Sequence, residues 1–260
     1  MTRTQHSPAI APLLGDSALA TGGALLAIAR IIFVELAQFL PEHAALAIWA
    51  DFHQIPLAWV AKTLTLAAVI LVPAFYLLLE TLKRHGHTLT HLIWLGIAVV
   101  TVVTVLSGGL FAGKLAFAPY DMGMSAEAAE LSISLLIICL HICSMALGVG
   151  MIILGIGYRN QIRTPYAEFS VLAGVAQLLG AHPWLLPGWS VHVTAVLLFA
   201  WSASTLRSLH GIDAHSDEDE QETARTRSTT RLDPNPQSRE QKATPQGRVG
   251  KAPNSVGNHR

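Results

Sequence analysis

Charged residues are scarce in this sequence. Asp, Glu, Lys and Arg make up 13% of its 260 residues, whereas an average soluble domain carries about 25%. The deficit lies between Ser17 and Leu209, and nearly half of the charged residues follow Gly211. The formal net charge is zero, so the chain lacks the basic surface of a nucleic-acid-binding protein, and we expect no nucleic-acid partner. This distribution predicts a membrane-embedded body with a polar tail and a lipid bilayer as its main partner.

Cysteine and catalytic motifs are equally sparse. Cys139 and Cys143 are the two cysteines and share one apolar run, which is not the pattern of a secreted disulfide scaffold. The sequence contains no HExxH, GxSxG, Walker A or dinucleotide-binding glycine motif. No internal repeat is visible that would indicate a transporter built from inverted halves. Sequence motifs therefore assign no reaction.

Six segments have the length and apolarity of a transmembrane helix, which needs about 20 mostly apolar residues. The predicted spans cover residues 18–40, 56–79, 90–112, 130–158, 167–184 and 189–206. We predict an all-α, polytopic membrane bundle of six helices in residues 17–209, after a short cytoplasmic N-terminus in residues 1–16. Residues 210–260 are too polar to form a core, which predicts a disordered cytoplasmic tail. A regulatory or lipid-contacting tail is the alternative.

Lys and Arg in short loops mark the cytoplasmic side of a membrane protein. Lys83 and Arg84 follow the second predicted span, Arg159 follows the fourth and Arg207 follows the sixth, whereas the alternate loops carry only Lys114. This asymmetry predicts that both termini are cytoplasmic and, in a bacterium, that the protein lies in the inner membrane. Trp and Tyr near the span ends, among them Trp94, Tyr166 and Trp201 at the inner ends, are expected to lie at the lipid interface.

The fourth predicted span contains the triplet Cys139, His141 and Cys143. Since a helix turns by about 100° per residue, both cysteines lie about 160° from His141 and cannot share one ion with it. We therefore expect neither a metal nor a haem site here, and no cofactor.

Small residues line two opposite faces of the same span. Ser144, Gly148 and Gly155 share the stripe of His141, while Gly150 and Gly157 lie on the cysteine stripe. Because small residues let membrane helices approach closely, we predict that this helix is central and packs against neighbours on both sides. His141 is expected to form an interhelical hydrogen bond.

Arg30, Glu35 and Lys62 are ionisable residues inside predicted spans. Such residues usually face the bundle interior and pair. Similar depth on adjacent antiparallel helices predicts a Glu35–Lys62 ion pair. The candidates for Arg30 are backbone carbonyls, Gln177 or a bound anion.

Arg30, Glu35, Lys62, His141 and Gln177 are thus predicted to form one polar interior. One interpretation is a set of structural pairs, and the other is a cavity for a small ligand, ion or proton. Among functions, we expect a protein that binds, senses or passes a small ligand rather than an enzyme. A membrane enzyme using His141 or Glu35 as an acid–base group, with Ser144 as the nearby nucleophile, and a structural or regulatory partner of a membrane complex are the alternatives.

The run LHICSMALGVGMIILGIGYRN, residues 140–160, carries a Leu-His pair, spaced glycines and Gly-Tyr before a basic residue. This run, a short basic loop and two further apolar segments resemble the second half of the bacterial membrane proteins of domain-of-unknown-function family 4386. The acidic Glu35 late in the first span is also similar. The resemblance implies a six-helix membrane fold and no particular activity.

Overall fold

The computed structural model describes residues 10–42, 45–84, 88–117, 124–157, 159, 164–182 and 187–209, with side chains described from residue 17 onwards and excluding that of residue 164. These residues form helices and no strand. The helices are α1 (Ile10–Ala37), α2 (Leu46–Phe52), α3 (Gln54–Arg84), α4 (Thr88–Ala116), α5 (Ala126–Gly157), α6 (Thr164–Gly180) and α7 (residues 190–209). These helices lie within one compact unit. The predicted tail, residues 210–260, lies outside the described residues.

Four of these helices are long and apolar enough to cross a membrane: Ser17–Ala37 of α1, and α3, α4 and α5. Their outer faces are also apolar. On α4, Leu92, Val99, Val103, Leu106 and Leu110 are exposed along one side. Soluble proteins rarely expose so large an apolar strip, whereas lipid accommodates it. The chain is therefore an all-α protein of the membrane-spanning kind.

The central position predicted for the fourth span is confirmed, because α5 packs against α4 on one side and α6 on the other. Glycines allow both contacts. A Cβ added at Gly148 would lie 2.8 Å from the carbonyl oxygen of Gly174, and one at Gly155 would lie 2.6 Å from that of Ala167. On the opposite face, a Cβ at Gly150 would lie 2.9 Å from the Trp94 ring. The backbone of α6 therefore approaches α5 closely at Gly148 and Gly155, whereas α4 packs the Trp94 ring against Gly150.

Gly157 does not share this role. It is exposed, and among the described residues an added Cβ would meet only the hydroxyl of Thr90 on α4, at an ordinary contact distance of 3.8 Å. Gly157 therefore faces α4, as its stripe predicts, but no described neighbour approaches it as closely as at Gly148, Gly150 and Gly155. Residues 41–55, predicted to be a loop, contain the short helix α2, whose Leu46, Trp49 and Ala50 are buried.

The interfacial role predicted for Trp94, Tyr166 and Trp201 is also wrong, since all three side chains are buried inside the bundle. The rings of Trp94 and Trp201 stack with centroids 6.0 Å apart, where Gly150 leaves room for Trp94. Trp201 Nε1 donates to Ser170 Oγ at 2.9 Å, which satisfies the indole N–H away from water. This aromatic pair joins α4 to α7 and fixes the α6–α7 hairpin against the rest of the bundle.

Candidate functional site

A cavity of about 480 Å³ opens among α1, α5 and the start of α7, next to the C-terminal end of α6. Its volume falls within the range of small-molecule sites, about 300–1,000 Å³. Its polar lining comes from Arg30, Gln38, His141 and Ser144, together with the backbone around Gly180. The rest of the lining is mostly apolar and consists of Phe33, Val34, Ala37, Ile137, Leu140, Ala181, Gly188 and Val191. The site is thus an apolar pocket with a few polar groups.

Arg30 is the most deeply placed charge in this lining, with 6% of its surface exposed. Its Nη1 donates to Gln177 Oε1 at 2.6 Å, and its Nη2 donates to the carbonyl oxygen of Gly180 at 3.3 Å. Gln177 extends this hydrogen-bond network to α7, because its Nε2 donates to the Thr194 carbonyl oxygen at 2.6 Å. One buried chain of hydrogen bonds therefore joins α1, α6 and α7. Both protein acceptors of Arg30 are among the candidates expected from the sequence.

His141 lies in the same wall and reaches the end of α6. Its Nδ1 donates to the Ala181 carbonyl oxygen at 2.7 Å, which is the interhelical hydrogen bond expected for this residue. Its ring also meets that of His182 edge to face, with centroids 4.6 Å apart. Because Ala181 and His182 follow the last turn of α6, these contacts hold the end of that helix against α5.

The cysteines do not accompany His141. A Cβ built on Gly108 of α4 would lie 3.6 Å from Cys139 Cβ, and Cys143 is buried. The opposite orientation of His141 and Cys139 on α5 is therefore as predicted. Within the described residues, no group of three or more His, Cys, Asp or Glu side chains is arranged to hold a metal ion.

The predicted Glu35–Lys62 ion pair is not formed. Glu35 lies 3.5 Å from His192 Nε2 and accepts a hydrogen bond from Gln38 Nε2 at 3.2 Å. Lys62 is exposed, with its ammonium nitrogen 5.8 Å from the centroid of the Trp59 ring. The side chains of Glu35 and Lys62 therefore do not belong to the polar interior that holds Arg30, His141 and Gln177.

The reason is the register of the helices. α1 and α3 do pack together, as predicted for antiparallel neighbours, and a Cβ on Gly22 would lie 2.7 Å from Leu71. Counting along both helices from this contact puts Glu35 opposite Ala58, four residues or about 6 Å along the axis from Lys62. The half-exposed Glu35 turns instead towards α7, which the order of the chain did not identify as a neighbour of α1.

Ser144, the nucleophile of the enzyme alternative, lies in the cavity wall but is engaged locally. Its hydroxyl donates to the Leu140 carbonyl oxygen of its own helix at 2.8 Å. A hydroxyl has one hydrogen to donate, so this hydrogen is not directed towards a base. The arrangement lacks the nucleophile–base contact that activates a serine.

Sequence reasoning missed three residues of this region. Gln38 lies in the cavity wall, Thr194 accepts from Gln177 through its backbone, and His182 contacts His141. His182 and Gln38 fall in or beside predicted loops, and a backbone carbonyl leaves no mark on the sequence. For Gln38 and His182, the available signal was a polar side chain at the end of a predicted span.

Comparison of the chain with protein-family models, with curated proteins and with solved structures finds no match. The geometry of the cavity is therefore the basis on which a function can be inferred.

Proposed function

We propose that the protein spans the membrane six times and binds a small ligand in the cavity between α1, α5 and the α6–α7 hairpin. The observation that carries this proposal is the cavity of about 480 Å³ whose wall includes the buried cation Arg30. An ionisable side chain within a membrane bundle marks a binding or transport site by default. The apolar walls would contact the body of the ligand, and Arg30 and His141 its polar part.

The six-span topology adds α6 and α7 to the four apolar helices. α6 has 17 residues, at the short end of the range for a spanning helix, and it pairs with α7 along its length. The distribution of Lys and Arg supports cytoplasmic termini and, in a bacterium, the inner membrane. The tail of residues 210–260 is then cytoplasmic. The resemblance of residues 140–160 to family 4386 supports the same topology.

In this orientation the cavity opens towards the outer side. Ala37 at the end of α1, Ala181 after α6 and Gly188 before α7 all line it, and these helix ends fall on the side that lacks basic loops. A ligand would thus enter from the external solution or from the outer leaflet.

Cysteine accessibility tests this function. In a chain with Cys139→Ala and Cys143→Ala, Val34→Cys places a thiol in the cavity wall, while Ile28→Cys places one on an exposed apolar face of the same helix. A charged, membrane-impermeant thiol reagent should modify Val34→Cys from outside and leave Ile28→Cys unmodified, since the reagent does not enter hydrocarbon. Asp51→Cys, on the exposed side of α2, serves as the positive control.

An unreactive Val34→Cys beside a reactive Asp51→Cys would mean that the cavity is sealed from the outer solution. That result would contradict an outward-facing binding site and favour a purely structural interior.

A further inference from the structure

Among the described residues that line the cavity, Arg30 carries the only permanent side-chain charge. The other polar side chains in this part of the lining are Gln38, His141 and Ser144, and none of the described lining residues is a carboxylate. Within the described part of the chain, no Asp or Glu oxygen lies within ion-pairing distance of Arg30. Its two partners, the Gln177 amide and the Gly180 carbonyl, are both neutral. A buried cation without a counter-charge is costly, and an anion in the cavity would supply one.

The guanidinium also has donors to spare. Arginine presents five N–H groups in a planar fork, of which two are used by Gln177 and Gly180. The fork matches the two oxygens of a carboxylate, which it often binds through two parallel hydrogen bonds. A single anionic head group thus fits both the charge and the donor geometry of Arg30.

The rest of the cavity favours an apolar body. Arg30 lies seven residues, or about 10 Å, before Ala37 at the end of α1. Between these depths the walls are formed by Phe33, Val34, Leu140 and other apolar side chains. A small, fully hydrated anion would leave these walls without a partner.

We infer that the cavity takes an amphiphile with a single anionic head group, such as a carboxylate bound by Arg30, and an apolar body that lies along Phe33, Val34 and Leu140. This inference rests on the proposed ligand-binding function and names the class of ligand. The same head-group chemistry is offered by a carboxylate amphiphile from the external solution and by an anionic lipid from the outer leaflet.

A head-group series tests the inference on the unmodified protein, delipidated in a neutral detergent. Octanoate, octanol and octylamine share an apolar chain and differ in charge, and their binding is followed by the shift in melting temperature and by native mass spectrometry. Octanoate should bind at least tenfold more tightly than octanol, since a charge-assisted hydrogen bond is worth about that factor. Octylamine should not bind, because Arg30 repels it.

Arg30→Gln should weaken octanoate binding tenfold or more and leave octanol binding unchanged. Val34→Phe keeps Arg30 but fills part of the cavity, and it should weaken the binding of both compounds. Arg207→Gln removes an exposed cation at the far end of α7 and is the matched control, with octanoate binding unchanged. If Arg30→Gln does not fold, the comparison of head groups on the unmodified protein still tests the inference.

A second arm separates the two sources. Phosphatidylglycerol added to the delipidated protein should displace octanoate if the ligand is a lipid, whereas phosphatidylcholine should not. Displacement by neither lipid points to a soluble amphiphile.

Equal binding of octanoate and octanol would overturn the anionic class while leaving the ligand-binding function intact. If Val34→Cys reacts with the impermeant reagent but none of the three compounds binds, the amphiphile inference is also overturned. If Val34→Cys does not react, the cavity is closed to the outer solution and the proposed ligand-binding function itself is contradicted.

Discussion

Arg30 of α1 and Gln177 of α6 are 147 residues apart in the chain and form a buried hydrogen bond of 2.6 Å. Gln177 is itself fixed by its bond to the Thr194 backbone of α7. The amide therefore orients the guanidinium in the wall of the cavity. It also links the first helix of the bundle to the last two, so packing and the proposed binding site depend on the same contact.

Replacement of Gln177 by Leu should destabilise the protein by about 2 kcal/mol, because a buried cation loses a hydrogen-bond acceptor. Arg30→Met in the same chain should recover part of this loss, since the double variant has no cation to leave unsatisfied. Thermal unfolding in detergent of the two single variants and the double variant measures the coupling. Additive losses would show that the contact does not contribute to stability.

Gly148→Ala should destabilise the bundle, whereas Gly96→Ala should not. A methyl group at Gly148 would press on the Gly174 carbonyl oxygen and on Leu178, while at Gly96 it would meet nothing within 4 Å. At Gly96 the substitution should raise the free energy of unfolding by at most about 1 kcal/mol, through helix propensity alone. At Gly148 the steric cost should outweigh that gain and lower the melting temperature. Equal melting temperatures for the two variants would contradict the close approach of α5 and α6.

Glu35→Gln and Lys62→Gln should have independent effects on stability. Their positions on α1 and α3 are offset, and Glu35 faces His192 rather than Lys62. Each single change should cost less than about 1 kcal/mol, as is usual for charges at exposed positions. A double-variant cycle in which the losses are additive within about 0.5 kcal/mol is the expected result. Coupling well above this value would support the Glu35–Lys62 ion pair that the similar depth of the two residues predicts.

The orientation of the chain is testable with reporters. An enzyme reporter that is active only in the cytoplasm should work when fused after Leu209. A single cysteine within residues 45–52 should react with an impermeant reagent from outside, because the loop between the first two spans lacks Lys and Arg. Labelling of that cysteine only after the membrane is disrupted would rule out the six-span model with both ends inside.

The helical class, the four most apolar spans and the central position of α5 follow from the sequence because each depends on a local pattern. A run of about 20 apolar residues satisfies its own backbone as a helix. Small residues on two faces of one helix predict two close neighbours, and Gly148, Gly155 and Gly150 make those contacts. Gly157 belongs to the same pattern but has no equally close neighbour among the described residues, and a helical wheel carries no information on how near a neighbouring helix comes at each turn.

What the tertiary structure alone decided is which distant helices meet and at what height. Glu35 faces α7 instead of Lys62, and His141 meets His182. Trp94 and Trp201 turn inwards to stack instead of facing lipid. A shift of one helical turn, about 5.4 Å, is enough to separate a charged pair. The apolar pattern of a membrane helix fixes which segments enter the bilayer, but the fit of side chains between helices fixes their register, and the cavity around Arg30 exists only in that register.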